Sequence, residues 1–140
     1  MMKLWWIEII SCAYLTGLIL IVHFLHYPAF AKVKESVFKE FVTWHGRRIT
    51  PIVFPAMVIE LGCAILLLIQ EKSARSGINL ASVVLVWAVT GIKSARTHSK
   101  LMQIGFSQID FDDLMRWNQV RTWIWCLRLI GLSVVVWIYF

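Results

Sequence analysis

The chain has 140 residues, 59% of them hydrophobic, with eight Trp and a formal net charge of +6. An ordinary soluble domain is excluded by that apolar content. A nucleic-acid partner is not needed to explain the charge, because the basic residues are segregated to one side of the apolar segments, where they meet anionic lipid headgroups.

A helix needs about 20 mostly apolar residues to cross a hydrocarbon core. Four stretches reach that length: Leu4 to Phe24, Ile49 to Ile69, Ile78 to Thr97 and Val120 to Phe140. The expected fold is therefore all-α, an integral membrane four-helix bundle forming a single domain over 1–140, with no room for a separate soluble domain. The first span does not read as a cleavable signal peptide, because its basic n-region is only Lys3 and no small-residue cleavage site follows.

Between the first and second spans, Phe30, Val33, Val37, Phe41 and Trp44 recur at helical spacing, opposite Lys32, Lys34, Glu35, Ser36, Lys39 and Glu40. This predicts a short amphipathic helix lying in the membrane interface. The turn Glu71 to Gly77 is short and polar, so the second and third spans are antiparallel neighbours. Before the last span, Asp110 followed by Asp113 predicts a helix start.

Lys32, Lys34, Lys39, Arg47, Arg48, Arg96, Lys100 and Arg116 fall on one side of the spans, against Lys3, Lys72 and Arg75 on the other. The positive-inside tendency then places the basic side in the cytoplasm and both termini outside, in a membrane expected to be the bacterial cytoplasmic membrane. Cys12, Cys63 and Cys126 lie in three different spans without paired spacing and read as buried structural thiols.

All four histidines, His23, His26, His45 and His98, fall at span ends on the basic side. Imidazole is the commonest protein ligand for transition metals and also holds haem iron, so a shared site for haem or a transition metal (iron, copper or zinc) is expected there. His23 and His26, spaced i, i+3, would address one ion. The alternative for each histidine is a helix cap or a bond to lipid phosphate.

Polar residues inside the spans complete the site. By helical rise Glu60 lies about 18 Å below the Arg48 level and Arg128 roughly 13 Å deep. A carboxylate at that depth is costly unless paired, so these two are expected to form an ion pair, either catalytic, with Glu60 relaying a proton, or merely fixing helix register. Asn118, Arg121, Trp125 and Arg128 share one helical face, and Thr90, Ser94 and His98 extend a polar stripe on the third span. Asn118 and Arg121 are candidates to bind an anionic or carbonyl-bearing substrate. The polar groups together predict a cavity open toward the cytoplasmic side.

The segments GLILIVHFLHYP (Gly17 to Pro28), RRITPIVFPAM (Arg47 to Met57), KLMQIGF (Lys100 to Phe106) and LMRWN (Leu114 to Asn118) resemble short four-span bacterial membrane proteins. More distantly, their order is similar to that in protoporphyrinogen oxidases of the HemJ type, which bind haem b. The resemblance implies a helical membrane bundle. Ile7 and Asn79 stand where that family carries its first-span histidine and third-span lysine, so porphyrinogen oxidation does not carry over, and the resemblance leaves open a related bundle with a relocated cofactor. The leading expectation is a small membrane oxidoreductase acting on a lipophilic substrate. Its partners would be membrane lipids, with homo-oligomerisation left open. The competing expectation is a non-catalytic partner subunit or assembly factor; a transporter is disfavoured because the chain shows no inverted repeat.

Overall fold

The computed structural model describes residues 2–139, so the last residue expected in the fourth span, Phe140, lies outside them. Four helices are long and apolar enough to span a membrane: α1 (Met2–Phe30), α2 (Glu35–Glu71), α3 (Ala74–Ile104) and α4 (Gln108–Tyr139). No strand occurs among the described residues. Each helix packs against its neighbours in the chain, and α1 closes the ring against α4, giving an up-down-up-down bundle.

Short local signals set the turns. Lys72 adopts a left-handed conformation (φ 47°, ψ 41°) that ends α2, with its N–H returning to the Leu68 carbonyl. Ser73 and Ser76 then form a reciprocal capping box that starts α3. Gly105, at φ 94°, ends α3 in a region that favours glycine.

The polarity of the molecule is inverted relative to a soluble protein. Glu8, Glu60, Asn79, Asn118, Arg121 and Arg128 are buried, whereas Phe24, Ile78, Leu127, Ile130 and Trp137 are exposed. Such a surface suits hydrocarbon, which solvates apolar side chains and drives charged ones to pair inside the bundle.

Two expectations about helix boundaries are corrected. The amphipathic segment before the second span is helical from Glu35, but it runs without a break into that span as one 37-residue helix. At about 1.5 Å per residue α2 is roughly 55 Å long, far more than a ~30 Å hydrocarbon core. Its apolar side chains find a better surface than a headgroup layer. Phe38 and Val42 are fully buried in a second core with Phe30, Leu101, Phe111 and Leu114. The bundle thus continues beyond the expected spans on the histidine side. Likewise α4 begins at Gln108, before Asp110, because the Ser107 hydroxyl accepts the Asp110 N–H at 3.4 Å and so takes the cap.

Candidate functional site

Two π-helical turns, Val22–His26 in α1 and Thr90–Ser94 in α3, shape the site. A π turn inserts a residue into the α-helical register and is frequent where function requires side chains to be re-aimed. The turn in α1 breaks the expected convergence of His23 and His26. His23 instead meets Asn118, with Nδ1 and Nδ2 3.3 Å apart. His26 packs edge-on against His45, their ring centroids 5.3 Å apart, and His45 lies 6.1 Å from His98. Three of the four histidines therefore form a chain of rings joining α1, α2 and α3, with Phe30 packed against His45 and His98.

Beside these rings is a cavity of about 670 Å³. Leu15, Ile19, Val22, Val53, Met57 and Trp125 line its apolar length, and Tyr27, His45, Ser94, His98 and Arg121 its polar end. Its lining residues that are exposed, Arg47, Thr50, Pro51, Phe54 and Ala95, all belong to α2 and α3. The exposed rim accordingly runs along α2 and α3 and reaches Arg47 toward the basic end. Pro51 lies in this rim and, with Pro55, interrupts the α2 hydrogen-bond ladder, which releases the Arg47 and Pro51 carbonyls from their intrahelical donors.

Several polar atoms at the site have no partner. Arg121 donates from Nη2 to the Asn118 side-chain Oδ1 at 2.7 Å, but its buried Nε has no acceptor. His26 Nδ1, His98 Nε2 and Ser94 Oγ are also buried and unsatisfied. Buried polar atoms are nearly always hydrogen-bonded, and three of these four, Arg121 Nε, His98 Nε2 and Ser94 Oγ, belong to residues that line the cavity, so unmet hydrogen-bonding capacity is concentrated there.

One helical turn deeper, the expected ion pair between Arg128 and Glu60 is present. It is half of a larger arrangement, because Arg128 Nη2 also bonds Glu8 Oε1 at 3.0 Å and Asn79 Oδ1 at 3.1 Å. Its Nε donates to Ser82 Oγ at 2.8 Å, and Asn79 Nδ2 donates to Glu8 Oε1 at 2.9 Å. Asn118, Arg121, Trp125 and Arg128 share the inward face of α4, as their spacing predicts, and all four are buried. Trp125 separates the two halves: its ring lines the cavity, and its indole N–H reaches Glu60 Oε2 at 3.5 Å.

Glu8 is the residue that sequence reasoning missed. The signal was present, since an ionisable residue inside an apolar span marks a site by itself. Asn79 was noted only as the residue standing at the HemJ-type lysine position; here it is the amide that holds Glu8 against Arg128.

Among the described residues, no group of three or more His, Cys, Asp or Glu side chains is arranged to hold a metal ion. Cys12 and Cys63 are buried and unpaired, and Cys126 is free and half-buried. Comparisons with protein-family models, with curated proteins and with solved structures return no match to this chain.

Proposed function

We propose that the chain binds a lipophilic molecule carrying an anionic or carbonyl head, taken up from the bilayer past the exposed rim along α2 and α3. The observation that carries this reading is an apolar cavity lined by two buried nitrogens without partners, Arg121 Nε and His98 Nε2. A volume of about 670 Å³ falls in the usual range for small-molecule sites, which are mostly apolar with a few convergent polar groups. Arg121 would grip the head by a charge-assisted bond, with Asn118 fixing the guanidinium plane. The charge asymmetry of the helix ends supports an orientation with this site on the cytoplasmic side and both termini outside.

A redox version of this function is favoured by the histidine chain. A non-haem iron, copper or zinc centre needs three or more ligand groups, which these side chains do not form. Haem needs only one or two axial imidazoles, and His98 with its free Nε2 and the adjacent His45 fit that demand. Bound haem would supply one-electron chemistry, and the chain would then be a small membrane oxidoreductase acting on the lipophilic molecule.

The test is to purify the protein in mild detergent, record its absorption spectrum and elemental content, and extract and weigh any bound lipophilic compound. A colourless, metal-free protein that retains an acidic or carbonyl compound establishes binding without redox chemistry. A haem spectrum lost in His98→Ala establishes the redox version. A protein with neither compound nor chromophore, also after incubation with lipid extract, overturns both and leaves a packing or assembly role.

A further inference from the structure

We propose that Glu8 and Glu60 together hold one exchangeable proton at the centre of the bundle, shared across the Arg128 guanidinium. The inference is independent of what fills the cavity. Two carboxylates and one guanidinium would leave one uncompensated negative charge among side chains that are entirely buried on the acid side. A net charge deep in a membrane bundle is costly, and one bound proton removes it. The hydrogen bonds carry the same imbalance. Both oxygens of Glu60 have donors, Arg128 and Trp125, but only Oε1 of Glu8 does. Glu8 Oε2 is buried without a partner, which is far cheaper for a neutral acid than for an anion.

Among the described residues, no other charged side chain pairs with the cluster. The side chains facing it are Cys12 on α1, Cys63 on α2, Asn79 and Ser82 on α3, and Trp125 on α4, all uncharged as thiol, amide, hydroxyl or indole. Two carboxyls bridged in this way titrate as a pair, so the proton belongs to both. It also sits one side chain from the cavity, because Trp125 bonds Glu60 on one side and lines the cavity on the other. The cluster is thus placed to give a proton to, or take one from, chemistry at the cavity wall.

Infrared spectroscopy of the full chain in lipid nanodiscs tests this directly. At neutral pH the wild type should show the C=O stretch of one protonated carboxylic acid per chain, shifted by D2O. Either Glu8→Gln or Glu60→Gln alone should abolish that band, because each leaves one carboxylate balanced by Arg128. A band that survives Glu60→Gln would place the proton on Glu8 alone and overturn the sharing. Since a variant may misfold, the wild type carries a second arm: dicyclohexylcarbodiimide, which attacks protonated carboxyls in apolar surroundings, should modify Glu8 or Glu60 by mass spectrometry. The absence of both band and adduct overturns the proposal, as does loss of the band on adding Na+ at constant pH, which would make the cluster a cation site.

Discussion

A Cβ on Gly46 would stand 3.0 Å from Cε1 of His98, so the imidazole lies tightly against α2 and would have to give by a few tenths of an ångström to admit a larger residue there. That contact sets where His98 faces the cavity. Gly46→Ala should therefore separate two properties. Helix propensity favours Ala over Gly by about 1 kcal/mol, offsetting the strain of pushing the imidazole aside, so thermal stability in detergent should change little. Retention of the bound compound or haem should fall. Unchanged retention would mean that the position of His98 does not matter.

The Arg128 cluster should respond unequally to its members. Arg128→Met removes the cation that faces both buried acids, leaving Glu8 with Asn79 and Glu60 with Trp125 alone, and should cost about 3 to 5 kcal/mol. Glu60→Gln should cost less, because Glu8 remains to compensate the guanidinium. The double change Glu8→Gln with Glu60→Gln should then cost more than the sum of the single ones, since only it leaves Arg128 unpaired. Detergent-unfolding titrations measure this, and simple additivity would refute the shared cluster.

Replacing Arg121 with Lys keeps the charge but removes the planar fork and its free Nε. A hydrogen bond to a charged group contributes about 1.5 to 3 kcal/mol, so affinity for an anionic or carbonyl-bearing compound should fall roughly ten- to hundredfold. Asn118→Ala should lower it less, acting through Arg121. Equilibrium binding of whichever compound copurifies reads both effects, and wild-type affinity in Arg121→Lys would remove Arg121 from the site.

Orientation is tested by single cysteines in a background lacking Cys12, Cys63 and Cys126. An impermeant thiol reagent applied to intact cells should label Ala74→Cys and spare Lys34→Cys and Lys100→Cys. All three positions are exposed. Ala74 is chosen over Lys72 because the left-handed backbone at Lys72 is part of the turn. The reverse labelling pattern would turn the molecule over in the membrane.

Four helices, their approximate positions and the inward face of α4 are all legible in the residue pattern alone. Helical periodicity and the solvation cost of burying charge act locally, residue by residue, so Asn118, Arg121, Trp125 and Arg128 could be aligned and Glu60 matched to Arg128 by depth alone. The rest depends on what each segment finds to pack against, which no local pattern records. The segment around Phe38 joins α2 instead of lying in the interface, since Phe30, Leu101 and Phe111 bury it. His23 and His26 part company because a π turn adds a residue between their faces, and that turn leaves no mark in a 3.6-residue pattern. Glu8 enters the Arg128 cluster only when α1 closes against α4, which brings together residues 120 positions apart in the chain.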